Sequence, residues 1–223
     1  MKHNAPPHVP GLECASHWRD LAGVDEAGRG PLAGPVAVAA VILGAHFDLP
    51  GLDDSKKIRP AKRETLDAQI RQQAIAFHVE FVDEAVIDRV NILQATLIGM
   101  QRAVTALSPG PRWVAVDGKQ IPTLSMPCVA LVGGDGRLAC ISAASILAKV
   151  ARDRYMREQD EKFPGYGFAR HKGYATRVHL QALRRLGPCA LHRRSFAPVS
   201  NLDPTSASTG EKPLSRSNIG VRF

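Results

Sequence analysis

The run Gly23-Val24-Asp25-Glu26-Ala27-Gly28-Arg29-Gly30-Pro31-Leu32-Ala33-Gly34-Pro35 constrains this chain more than any other. Two adjacent carboxylates follow a short apolar lead-in. A glycine-rich turn comes next, and Val36 to Leu43 is then apolar throughout and rich in β-branched residues. The pattern reads as strand, turn, strand, with the second strand covered on both faces. Carboxylates at the end of a buried strand stay charged only beside a cation or hydrogen-bond donors. The glycines leave backbone N–H groups uncovered, so an anionic group can approach the main chain. A divalent cation and a phosphodiester meeting here would satisfy both demands.

Two other readings compete for this stretch. Gly28-x-Gly30-x-x-Ala33 fits the bare dinucleotide-binding pattern, and Asp48, Asp53 and Asp54 follow at a suitable distance. That motif needs a helix to open at the glycines, whereas Pro31 and Pro35 interrupt the segment and the residues beyond favour strand. The other reading is a tight hairpin whose acids are merely solvated, and only further acids elsewhere in the chain can displace it.

The rest of the composition narrows the partner. The chain has 223 residues, a hydrophobic fraction of 44% and a net charge of +8, which suit one globular domain with appendages and a polyanionic partner. Cys14, Cys128, Cys140 and Cys189 form no Cys-x-x-Cys pair, so structural zinc and a stapled secreted fold lack support. The N-terminus opens no apolar stretch of the signal-peptide kind, and no apolar run approaches the ~20 residues of a membrane helix. A cytoplasmic protein, monomeric and without membrane attachment, is expected.

Along the chain, residues 1–18 read as a mobile lead, 19–200 as the folded domain and 201–223 as a disordered tail rich in Ser, Thr, Pro and Asn. Strands are expected at Leu21–Asp25, Val36–Leu43, Ile75–Val82, Trp113–Gly118 and Cys128–Val132. Helices are expected at Pro60–Ala74, Asp83–Asp88, from Ile92 to before Ser108, from Ile141 to about Lys162, and at Thr176–Arg185. In the helix from Ile141, Ala143, Ile146, Leu147 and Val150 make the apolar face, and Lys149, Arg152 and Arg154 point elsewhere. Phe163 to Tyr174 is a loop alternating aromatic and basic residues, suited either to gripping nucleic acid or to anchoring itself in the core.

Acids recur where strands end: Asp25-Glu26, then Asp117, then Asp135. Strand ends remote in sequence can meet at one sheet edge. Carboxylates gathered so closely repel one another, and hard divalent cations with oxygen ligands remove the conflict. No histidine-rich set accompanies them, which disfavours zinc.

At this point the motifs are recognisable. Gly23 to Gly34, Asp54-Ser55-Lys56-Lys57, Asn91-Ile92-Leu93, Asp117-Gly118, Gly134-Asp135, Ile141 to Val150, Tyr166-Gly167-Phe168, His171-Lys172-Gly173-Tyr174 and His192-Arg193-Arg194-Ser195-Phe196 together resemble bacterial ribonuclease HII, the type 2 ribonuclease H family. The resemblance runs from about Leu21 to about Val199. It implies an α/β, ribonuclease H-like mixed central sheet with flanking helices and a C-terminal helical extension. It implies endonucleolytic cleavage of RNA in RNA·DNA hybrids and at single ribonucleotides in duplex DNA, 5′ of the ribonucleotide, by two-metal-ion hydrolysis leaving a 3′-hydroxyl and a 5′-phosphate. Asp25, Glu26, Asp117 and Asp135 then resemble the catalytic acids that bind Mg²⁺ or Mn²⁺. Gly28, Arg29 and Gly30 resemble the element reading the ribose 2′-hydroxyl, and Tyr174 the ring that packs on the adjoining deoxyribose. Ser55, Lys56, His171 and Lys172 join them as expected substrate-binding residues. The chain departs from the family pattern at Gly133, where a lysine is usual, and at Ala175, where a proline is usual. An inactive nucleic-acid-binding homologue is the alternative reading.

Overall fold

Five strands form one mixed sheet, with antiparallel pairings on one side of its first strand and parallel pairings on the other. The computed structural model of the chain describes residues 20–202, apart from positions 54, 56 and 57. The expectations for residues 1–18, for most of the tail, and for Asp54, Lys56 and Lys57 therefore lie outside the described residues.

The strands are β1 (Leu21–Ala27), β2 (Val36–Leu43), β3 (Ala74–Val82), β4 (Trp113–Asp117) and β5 (Cys128–Leu131). β1 pairs antiparallel with β2, and β2 with β3. β4 joins the other side of β1 in parallel, and β5 joins β4 in parallel. All eight residues of β2 are buried, as an uninterrupted apolar strand with helices on both faces must be.

One face carries α1 (Pro60–Gln73) and α3 (Ala139–Lys162), packed with Leu21, Ala39, Val41 and Ala115 in a single apolar cluster. The opposite face carries α2 (Glu84–Thr105), whose Met100, Ala103 and Val104 meet Ala22, Val24, Val38 and Val116. Each such large aliphatic side chain contributes about 2 kcal/mol on removal from water. α3 lies unusually close to β1: a Cβ on Gly23 would stand 2.2 Å from the Cys140 carbonyl carbon. Only glycine permits that approach, and it sets how near α3 comes to the acids at the end of β1.

The two helices expected around Asp83–Asp88 and from Ile92 are the two arms of α2. They meet at Asn91, whose φ of 71° interrupts the helix and whose Oδ1 accepts from the Leu93 and Gln94 amides. The C-terminal part adds α4 (Phe168–His171) and α5 (Arg177–Leu186), the latter capped by Thr176 Oγ1 accepting from His179 N. Residues 201 and 202, expected in the tail, belong instead to the short 3₁₀ turn Ser200–Leu202. Cys128, Cys140 and Cys189 are free thiols. No helix among the described residues is long and apolar enough to cross a membrane.

Candidate active site

Asp25, Asp117 and Asp135 converge, each offering a carboxylate oxygen within 4.8 Å of the others. Neighbouring parallel strands explain the first pair: Val24 stands opposite Val116, so the next residues, Asp25 near the end of β1 and Asp117 at the end of β4, lie side by side on the α3 face. Asp117 Oδ1 then accepts from Gly134 N at 2.7 Å, which draws the turn Gly134–Gly136 and its Asp135 to the same point. Ser142 Oγ, in the first turns of α3, donates to the Asp135 carbonyl at 2.5 Å and secures that turn. Asp135 thus reaches the site from a 3₁₀ turn after β5.

Glu26, the fourth expected acid, stands outside this trio. Alternation along β1 puts successive side chains on opposite faces, so Glu26 faces α2 where Asp25 faces α3. Glu26 Oε1 lies 3.3 Å from Arg29 Nη1.

The trio is electrostatically frustrated without a cation. Asp25 is 5% exposed, and burial together with the charges of Glu26 and Asp117 pushes its carboxyl well above the usual range. The Glu26 amide, donating to Oδ1 at 2.7 Å, and the Ser145 hydroxyl oppose that rise. Ser55 Oγ is 2.9 Å from Ser145 Oγ and can donate to it, leaving the Ser145 proton for Asp25. An all-carboxylate set, with Asp25 and Asp135 buried and like charges beside Asp25, fits a hard divalent cation.

Two cavities flank the acids. One of about 230 Å³ is lined by Asp25, Glu26, Gly28, Arg29, Gly30, Ser55, Ser145, Lys149 and Tyr174. The other, about 330 Å³, lies toward α2 and is lined by Glu26, Arg29, Asp117, Lys119 and residues of the second arm of α2. The structure therefore brings Gly28, Arg29, Gly30, Ser55 and Tyr174 to one cavity beside the acids. Tyr174 is 44% exposed there, open to a ligand.

His171 and Lys172 are placed differently. His171 is buried, and both ring nitrogens serve the loop itself: Nδ1 accepts from Gly173 N, and Nε2 lies 2.8 Å from the Tyr166 carbonyl. Lys172 directs Nζ to the Ala169 carbonyl. In this structure both side chains brace the loop's own backbone. Of the two options for Phe163–Tyr174, Tyr166 and Phe168 follow the anchoring one, being buried against Met156, Ala182 and Leu191. Tyr174 stays exposed at the cavity.

Nothing in the residue order marks Arg152 or Arg193 as buried, although Arg193 lies within one of the recognised motifs. Arg152, expected to point away from the core, is 1% exposed, and Arg193 is 0% exposed. Arg152 donates to the carbonyls of Ala33, Pro35 and Lys172. Arg193 donates to those of Gly28, Arg29 and Gly34. Burial and the neighbouring Arg152 push the Arg193 guanidinium down to about 9, so it remains charged at neutral pH. Polar residues in a helix register as exposed to pattern reading, and nothing local marks a buried guanidinium that meets carbonyls from a distant loop.

Histidines form a second titratable cluster behind Tyr174. His192 Nδ1 accepts from Cys189 N, so its Nε2 proton faces His179 Nε2 at 3.1 Å. That leaves His179 Nδ1–H to donate to the Tyr174 carbonyl at 2.9 Å. The chain of bonds requires neutral rings, and burial lowers all three: His192 to about 4, His179 and His171 by direction alone.

Comparison with known proteins agrees with this geometry. The ribonuclease H2 of Pyrococcus horikoshii OT3 superposes with a TM-score of 0.71 at 23% identity, covering 84% of this chain and 99% of that one. Bst-RNase HIII in complex with Mn²⁺ superposes with a TM-score of 0.64 at 16% identity, covering 92% and 77%. The fold is thus the one seen in ribonuclease H2 and RNase HIII, and its acidic trio suits a divalent metal ion. The family description "Ribonuclease HII" matches residues 22–199. The ribonuclease HII of Syntrophomonas wolfei is 53% identical over 196 residues, 88% of this chain and 76% of that protein. This chain belongs to the ribonuclease HII family.

Proposed function

We propose that the chain hydrolyses the phosphodiester on the 5′ side of a ribonucleotide, both in RNA·DNA hybrids and at single ribonucleotides in duplex DNA, leaving a 3′-hydroxyl and a 5′-phosphate. The observation that carries this reading is the convergence of Asp25, Asp117 and Asp135 beside the cavity formed by Gly28–Gly30 and Tyr174.

Asp25, Asp117 and Asp135 would hold Mg²⁺ or Mn²⁺, and Glu26 borders the same space. Oxygen donors suit either ion, and Mn²⁺ in Bst-RNase HIII supports the choice of class. A pair of such ions, held there, would supply activation of a water and charge stabilisation of the leaving oxygen. The chain's own residues do the rest. Ser145 fixes the rotamer of Asp25, and the Gly134 amide fixes that of Asp117. The backbone at Gly28–Gly30 meets the 2′-hydroxyl, the group that distinguishes RNA from DNA. Tyr174 offers an exposed ring to the adjoining deoxyribose. Arg29 and Lys119 add positive charge at the rim for phosphates.

The test is to map the cut in a duplex carrying one ribonucleotide, with Mg²⁺, with Mn²⁺ and with EDTA. Incision at a single site, abolished by EDTA, is expected. Binding to the duplex without incision under either metal would favour the inactive homologue.

A further inference from the structure

We infer that Arg152 and Arg193 are positioning residues that turn the backbone amides of Arg29 and Gly30 toward the substrate cavity. This rests on the proposed reading of the 2′-hydroxyl by that backbone. Arg193 Nη2 holds the Gly28 carbonyl at 2.6 Å and Nη1 holds the Arg29 carbonyl at 2.9 Å. In a planar trans peptide, the carbonyl of one residue and the N–H of the next point in opposite directions. Two carbonyls drawn inward to a buried guanidinium therefore send the next two amides, of Arg29 and Gly30, outward. Residues 28–30 line the cavity there, so those amides become donors at its wall.

Arg152 fixes where this unit sits. Its guanidinium ties Ala33 and Pro35, beyond the turn, to Lys172, two residues before Tyr174. The tie is reinforced by Leu32 N to Gly173 O at 2.8 Å, Arg193 N to Leu32 O at 2.9 Å and Gly34 N to Leu191 O at 2.9 Å. The group that reads the ribose and the ring that meets the next sugar are thus held at one spacing by two cations. Gly28, at φ 96°, completes the fit: a Cβ there would overlap Arg152 Nε at 1.9 Å. The planar guanidinium fork is required, because one ammonium cannot reach several fixed carbonyls in different directions.

The test uses Arg193→Lys and Arg152→Lys in the full chain, which keep the charge and lose the fork. Two substrates are compared: a duplex with one ribonucleotide, and the same duplex with a 2′-fluoro sugar at that position. Wild type prefers the ribose. Each variant narrows the preference by about tenfold through kcat, with KM little changed because the phosphate contacts are intact. Mn²⁺ binding measured by calorimetry stays at the wild-type value. Amide hydrogen exchange at residues 29 and 30, which needs no activity, quickens in both variants. Wild-type preference and wild-type exchange in folded Lys variants would overturn the inference, as would loss carried wholly by KM. Failure of both variants to fold would assign the pair to stability and overturn it as well. A wild-type enzyme indifferent to the 2′-substituent would sink the ribose reading instead, while the exchange measurement still decides whether the two arginines hold the loop.

Discussion

The acid trio and the histidine cluster both bury titratable side chains, yet their internal balance is opposite. At the sheet edge, Asp25 loses solvent and gains two like charges, with only an amide and a hydroxyl in compensation. Around Phe168, His171, His179 and His192 lose solvent too, but each neutral ring finds complementary donors and acceptors. The first arrangement is left incomplete by the polypeptide and suits an ion. The second is complete as folded and suits support. Burial alone does not mark a functional site; buried like charges without a counter-charge do.

The comparison can be broken most forcefully at Asp117. Asp117→Asn should reduce cleavage of a single-ribonucleotide duplex by about a thousandfold or more, near 4 kcal/mol of transition-state stabilisation, with an unchanged circular dichroism spectrum. Undiminished cutting would remove Asp117 from the site. Phe168→Ala should do the reverse. It deletes a fully buried ring against Tyr166, His179 and His192. The expected loss is about 3–4 kcal/mol in urea unfolding, with Mn²⁺ affinity retained in the folded fraction. A variant as stable as wild type would deny the cluster its supporting role.

Acidification should expose the same contrast. The folded-state values of the three histidines lie below the usual 6.5, so the unfolded chain binds more protons as pH falls. Their contribution is full above about pH 6.5 and drains away toward about pH 4 for His192, worth at most about 3 kcal/mol from that ring. Unfolding measured across this window should show the slope, and His192→Gln should flatten it. Asp25 has the opposite sign: its raised folded value makes its ionisation cost stability as pH rises. Mg²⁺ should therefore raise the melting temperature of wild type by several degrees near neutral pH, an effect EDTA reverses and Asp25→Asn lacks. An equal Mg²⁺ shift in that variant would place the ion elsewhere.

The smallest effect expected is at Tyr174, where the two regions meet, since His179 holds its carbonyl and the cavity holds its ring. Tyr174→Ala should cost about tenfold on single-ribonucleotide duplexes, in line with loss of one stacking contact, and less on long RNA·DNA hybrids. Equal losses on both substrates would remove its place at the junction.

Much of this was legible from residue order. The uninterrupted run Val36–Leu43 announced a strand covered on both sides, and the prolines at 31 and 35 excluded a helix at the glycines. Acids that terminate strands announced a cation site, and three of them do converge. Glu26 shows what residue order leaves open. The two-residue period of the strand turns it to the other face from Asp25, yet it lines both cavities that flank the trio.

The sequence by itself determined which segments are strands and helices, and that carboxylates would collect where strands end. Local periodicity and turn chemistry act over a few residues and are written there. Only the tertiary structure decided that Arg152 and Arg193 lie inside, that His171 turns inward while Tyr174 turns outward, and that one turn of backbone presents its amides to the cavity. Those outcomes depend on carbonyls and rings brought together across more than a hundred residues of chain, such as Arg193 with Gly28. A side chain's own neighbours carry no trace of the partner that neutralises its burial.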